Sequence, residues 1–213
     1  MLKLRMQYRK EGSARYISHL DLMRVFRRAF ARAEVPLSFS QGFNPHPYLS
    51  VVLPLPTGFS SRCELLDFNV ELDRLPDDFL TRMTAALPEG IVPQYVYLRT
   101  RPVGDIAAVR CRIGIHGEGF SVDDTRALFS RPVRMMKKTK RGESEVDICT
   151  FIRSLEVSAL PDGVLIDCVL AAGNDNLNPE YLTRALDEYT PCKIAYAEYT
   201  RVNILDAEGE SYA

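Results

Sequence analysis

The sequence predicts an α+β protein made of two similar halves, residues 1–103 and 104–213. Three observations predict it. Short segments alternating apolar and polar residues, which read as strands, are interleaved with segments of helical apolar spacing. The order of these segments in each half is β-α-β-β-α-β, the ferredoxin-like unit, whose two helices cover one face of an antiparallel sheet. Four short matches also recur in the same order at an offset near one hundred residues. Leu55-Pro56-Thr57-Gly58 resembles Leu160-Pro161-Asp162-Gly163, and Leu65-Leu66-Asp67 resembles Leu165-Ile166-Asp167. Asp78-Phe79-Leu80-Thr81-Arg82 resembles Glu180-Tyr181-Leu182-Thr183-Arg184, and Pro88 and Pro191 each precede a tyrosine-bearing strand.

In the first half, residues 2–9 alternate with period two and read as a strand rather than a signal peptide. Ser18, with Asp21 three residues on, predicts a helix start, and Leu22, Phe26, Ala29 and Ala33 form its apolar stripe up to about Glu34. Two prolines and a glycine in Gln41–Pro47 rule out regular structure there. Tyr48 to Leu53 reads as a strand, Leu65 to Leu72 as another, Pro76 to Leu87 as a helix and Ile91 to Arg99 as a strand.

In the second half, Val109 to His116 alternates as a strand and Ser121 opens a short helix ending near Arg131. Val133 to Gly142 predicts a basic hairpin, and Asp147 to Val157 and Val164 to Ala171 predict strands. Asn178-Pro179-Glu180 opens a helix to about Tyr189, Ile194 to Leu205 is the last strand, and the tail after Asp206 is expected to fray.

Composition narrows the function classes. Hydrophobic residues make up 46% of the chain, enough for a sizeable core, and no apolar run is long enough for a membrane span. The five cysteines are widely spaced, with no C-x-x-C pair and no neighbouring histidine, which points to buried thiols in a reducing cytoplasm rather than a disulfide scaffold, zinc site or iron–sulfur cluster. No phosphate-binding glycine loop, dinucleotide fingerprint or serine nucleophile elbow is present, and no cofactor or metal is expected. The net charge of −1 hides a basic first stretch: residues 1–50 hold nine Lys or Arg against three Asp or Glu. Such asymmetry suits a local anionic partner.

Candidate binding residues fall in three places. Arg24, Arg28 and Arg32, with Arg27, recur along the first helix and could contact phosphates, although such faces are often only solvated. The loop offers Gln41, Asn44 and His46 as hydrogen-bonding groups and Phe43 and Tyr48 as flat apolar faces, a mixture suited to stacking on a base or gripping a peptide. The competing reading packs Phe43 into the core. The hairpin adds Lys137, Lys138, Lys140 and Arg141, without an interleaved aromatic residue. His19 and His46 would form an acid–base pair for metal-independent RNA cleavage if the loop returned to the start of the first helix. Asp67 and Asp167, at equivalent strand positions, are expected to be structural.

The segments Arg15-Tyr16-Ile17-Ser18-His19-Leu20-Asp21 and Ser40-Gln41-Gly42-Phe43-Asn44-Pro45-His46-Pro47 resemble the radical-SAM-linked protein family, a domain of unknown function. The resemblance implies a radical SAM enzyme as partner, and an accessory role in modifying RNA or a ribosomal component. The chain lacks the C-x-x-x-C-x-x-C motif of the enzyme itself, so that partner would be a separate protein. Two alternatives stand beside this reading: an endoribonuclease of RAMP-like architecture using His19 and His46, and a purely protein-binding scaffold.

Overall fold

The computed structural model describes residues 1–139 and 142–213, and for Lys138 and Thr139 the backbone alone. It is a mixed α+β chain whose described residues include four α-helices and divide into two compact units, Met1–Val103 and Gly104–Tyr212.

In the first unit the elements are β1 (Leu2–Lys10), α1 (His19–Arg32), β2 (Leu49–Val52), β3 (Ser60–Val70), α2 (Phe79–Ala86) and β4 (Ile91–Leu98). The strands lie in the order β4-β1-β3-β2, and every neighbouring pair is antiparallel. The alternation of β1 decides which side is core. Leu4, Met6 and Tyr8 are buried against the helices, and Lys3, Arg5, Gln7 and Arg9 fall on the opposite face. Helix α1 begins at Ser18, whose Oγ accepts from the backbone N–H of Asp21 at 3.2 Å. Its apolar stripe of Leu22, Phe26, Ala29 and Phe30 is buried. Aromatic contacts knit this core: Tyr8 meets Phe26 edge-on at 5.0 Å, and Phe68 lies 4.8 Å from Phe30 and 5.9 Å from Phe79. Deleting one of these buried rings typically costs about 3–5 kcal/mol.

The second unit holds β5 (Ala108–Glu118), α3 (Val122–Phe129), β6 (Arg134–Thr139), β7 (Gly142–Asp147), β8 (Ile152–Leu160), β9 (Gly163–Ala171), α4 (Glu180–Tyr189) and β10 (Lys193–Leu205). Its main strands lie in the order β10-β5-β9-β8, again antiparallel, while β6 and β7 pair with each other as a separate hairpin. Cys111, Ile113 and Ile115 of β5 and Ile166, Cys168 and Leu170 of β9 are buried, as are Leu182, Ala185 and Leu186 of α4. The Cys168 thiol is pushed far up from its ordinary pKa by burial, reinforced by the neighbouring Cys111 and Asp167. All five cysteines are free, and four of them are buried.

Three sequence-based expectations are corrected. The strand predicted from Asp147 begins at Ile152. The Asp147 carboxylate accepts from the N–H groups of Val133 and Cys149, both at 3.0 Å, and so bends Ile148–Phe151 into a 3-10 turn. The strand predicted over Leu65–Leu72 starts earlier, at Ser60, and ends at Val70. The tail does not fray: Tyr212 is buried and donates its N–H to the Ile204 carbonyl at 2.8 Å. Among the described residues no helix is long and apolar enough to cross a membrane, and no group of three or more His, Cys, Asp or Glu is placed to hold a metal ion.

Candidate functional site

The segment that the prolines interrupt is the tip of a small hairpin. Phe39 bridges Pro47, the Ser40 N–H donates to the His46 carbonyl at 2.9 Å, and the Tyr48 N–H donates to the Ser38 carbonyl at 2.9 Å. One hydroxyl locks the two arms. Ser40 Oγ accepts from the His46 N–H at 3.1 Å and lies 2.9 Å from His46 Nδ1. Gly42 takes a φ of 126°, a conformation that L side chains rarely adopt. The base is fixed to β3 by the Ser38 N–H donating to the Asn69 carbonyl and the Asn69 N–H donating to the Tyr48 carbonyl. Gln41, Phe43, Asn44 and His46 are all exposed, and the Phe43 ring is fully so. Packing of Phe43 into the core is thereby excluded.

Beside this hairpin lies a cleft of about 420 Å³ lined by Lys3, His46, Tyr48, Asp67, Asn69 and Arg99, among others. A second, of about 380 Å³, shares Lys3, Asp67 and Arg99 with the first and continues to Arg101 and Val103. Register explains the convergence. Asn69 is opposite Lys3 and Asp67 opposite Arg5, while the Arg99 N–H donates to the Lys3 carbonyl at 3.0 Å. The polar face of β1 therefore meets its counterparts on β3 and just past β4. Arg5 grips Asp67 with two prongs, at 2.6 Å and 2.9 Å, and Arg99 reaches the same carboxylate at 3.4 Å. Asp67 is thus offset by Arg5 and Arg99 together, and with Lys3 the balance of charge along the trough is positive. Asn69 Oδ1 is buried and has no hydrogen-bond partner among the described residues.

The remaining sequence-predicted residues lie elsewhere. Arg24, Arg28 and Arg32 are exposed on α1, which packs on the other face of the sheet from Lys3 and Arg5. Arg24 is paired with Asp21 at 2.9 Å, and Arg32 reaches the Ala86 carbonyl at the end of α2 at 3.3 Å. In the second unit, Lys137 Nζ sits 4.2 Å over the Phe151 ring centroid. Lys140 and Arg141 lie outside the described residues, as does the side chain of Lys138.

His19 and His46 are not brought together. Lys10 Nζ donates to the Ile17 carbonyl at 3.0 Å, tying the start of α1 to the last residue of β1. The hairpin base sits at the other end, where Asn69 pairs with Lys3 and Leu49 pairs with Phe68. Seven residues of strand, roughly 20 Å, separate the two ends. The imidazole pair needed for RNA cleavage is absent because the loop returns to the wrong end of the sheet.

A family model described as an uncharacterized protein conserved in bacteria, DUF2344, matches residues 3–179. The chain belongs to the DUF2344 family. The matched span takes in every residue of the trough from Lys3 to Arg101 and the whole hairpin, so the candidate site lies inside the DUF2344 domain. No curated protein matches the chain.

Tyr48 is among the flat faces that sequence reasoning names, whereas Lys3, Asn69 and Arg99 escape it. They come from well-separated segments, and only strand register joins them. The one available signal is the run of polar residues at alternate positions of β1, Lys3-x-Arg5-x-Gln7-x-Arg9, which marks a charged sheet face.

Proposed function

We propose that the chain is a non-catalytic accessory module that presents RNA to a radical SAM enzyme, working in the cytoplasm. The observation that carries the RNA part is the fully exposed Phe43 ring on a proline-braced hairpin beside an electropositive trough. A stiff loop loses little entropy on binding, a bare aromatic face stacks on any unpaired base, and lysine and arginine take up phosphate. The enzyme partner rests on the resemblance carried by Ser40-Gln41-Gly42-Phe43-Asn44-Pro45-His46-Pro47.

The same reading takes both units as ferredoxin-like copies of one ancestor. Supporting this, both have the element order β-α-β-β-α-β once the β6–β7 hairpin is set aside, and their strand orders correspond. Each also holds an Arg–Asp pair across its two central strands in matching register, Arg5 with Asp67 and Arg112 with Asp167.

Fluorescence polarisation with a labelled single-stranded RNA tests the proposal. About three phosphate contacts give a salt exponent near −2 for a single strand, so raising salt from 50 to 200 mM is expected to weaken binding by roughly an order of magnitude. Phe43→Ala is expected to weaken it about tenfold at either salt. Absence of RNA binding at low salt, or binding indifferent to both changes, would refute the RNA role. The partner role is tested by whether a radical SAM enzyme co-purifies with the chain after nuclease treatment.

A further inference from the structure

Asn69 Oδ1 is one of the buried side-chain atoms of the first unit without a hydrogen-bond partner among the described residues, and its residue lines the cleft. The residue is 6% exposed, its backbone is fully used by Tyr48 and Ser38, and its Oδ1 has no partner among the described residues. Leaving a buried amide oxygen unpaired is costly, because its lost hydration is not replaced. Buried polar groups without partners are few in folded proteins, and ligand sites are among the places where they occur. This one lines the same cleft as Lys3, His46, Tyr48 and Arg99.

The chemistry around it selects a ligand class. Lys3 and Arg99 supply positive charge for an anion, and the Asp67 carboxylate between them is held by Arg5 at 2.6 Å and 2.9 Å and reached by Arg99 at 3.4 Å. Tyr48, with Pro47 and Leu49 beside it, supplies a partly exposed apolar wall suited to a planar ring. As the residue stands, Oδ1 is sealed from solvent and Nδ2 is not, so the amide offers N–H groups to the cleft, and a half-turn about its last side-chain bond offers the oxygen acceptor instead. An anionic group, a flat ring and a polar edge together describe a nucleoside phosphate. The volumes of about 420 and 380 Å³ fall in the range of small-molecule sites, roughly 300–1,000 Å³. The second cleft continues past Arg99 to Val103, which gives the next residue of a strand somewhere to go.

We infer that this trough is a binding site for one nucleoside phosphate unit, its phosphate between Lys3 and Arg99, its base against Tyr48 and its polar edge on the Asn69 amide. The inference deepens the RNA-binding reading and rests on it for the source of the ligand, an unpaired residue of an RNA strand. A free nucleotide is the other source of the same chemistry.

Calorimetric titration of the full chain with UMP, AMP, inorganic phosphate and a single-stranded RNA hexamer, alongside thermal melts, tests it. The trough predicts that both nucleotides and the hexamer bind and that inorganic phosphate binds at least tenfold more weakly than either nucleotide. Asn69→Ala is expected to weaken the nucleotides and the hexamer at least tenfold while the melting temperature of the free protein holds or rises, since an unpaired group has been removed. Lys3→Glu, at an exposed position, is expected to weaken them as much without disturbing the fold. Hexamer binding that both variants leave intact overturns the trough but spares the RNA-binding reading. Nucleotide binding sensitive to both variants, without hexamer binding, supports the trough and removes the RNA reading. Phosphate binding as tight as UMP reduces the site to a general anion cleft and overturns the inference.

Discussion

Replacing Asp67 by Asn is expected to cost roughly 3–5 kcal/mol of stability, and replacing Asp167 by Asn less than about 1 kcal/mol. The two aspartates occupy the same register position, each facing an arginine across the two central strands of its unit. What differs is water. The Arg5 and Asp67 side chains are 1% and 6% exposed, so Asp67→Asn removes the carboxylate that offsets the Arg5 charge at a place solvent cannot reach. Arg110 and Arg112, which share Asp167, are 48% and 47% exposed, so solvent takes over when the carboxylate goes. Urea unfolding followed by circular dichroism reads the difference. At a slope of roughly 2 kcal/mol per molar, the midpoint falls by about 2 M for Asp67→Asn and by less than about 0.5 M for Asp167→Asn. The double variant Arg5→Met with Asp67→Leu is expected to recover most of the loss, because an apolar pair of similar volume carries no desolvation cost. Equal midpoints for the two single variants, or a double variant no better than Asp67→Asn, would refute burial as the deciding factor.

Two further outcomes follow from the electrostatics. Burial pushes the Asp167 carboxyl up, but hydrogen bonds and charge from Arg110 and Arg112 outweigh it and hold the pKa below its ordinary value. Asp167 therefore adds stability above its unfolded pKa, near 3.9, and that contribution is lost as pH falls through the lower folded value; an acid titration of Asp167→Asn should lack this component. Among the thiols, Cys63, Cys111, Cys168 and Cys192 are buried, and the half-buried Cys149 is pushed up by burial and by Asp147. A colorimetric thiol reagent at pH 8 is expected to label at most Cys149, and slowly, in the native protein, and all five cysteines in denaturant; rapid native labelling would contradict the packing described.

How far the sequence reaches depends on whether a feature is local. Alternation in β1 and the Ser18 cap of α1 rest on neighbouring residues, so strand and helix are legible from a short window. The prolines and glycine of Gln41–Pro47 announce an irregular segment, yet the cross-arm hydrogen bonds of Ser40 that make it a hairpin lie beyond what residue types specify. Asp147 misleads because a strand-like run also suits a side chain that caps its own backbone. The polar residues after Asp206 read as a loose end, while Tyr212 alone supplies the ring that seats the tail. The trough is the least legible feature. Lys3, Asn69 and Arg99 meet through pairings spanning up to 96 residues of chain, and nothing within reach of any one of them hints at the others. The separation of His19 from His46 is of the same kind: it follows from which end of β1 each flanking segment is tied to.

The central claim is that RNA docks on the first unit, at the hairpin and trough. Photocrosslinking of a 4-thiouridine RNA to the protein, with the adducts mapped by mass spectrometry after trypsin, tests it most directly. Adducts are expected on the peptide spanning residues 33–62, at Phe43 or Tyr48, and to fall sharply in Lys3→Glu. Adducts confined to residues 104–213, or none in the first unit at low salt, would contradict it.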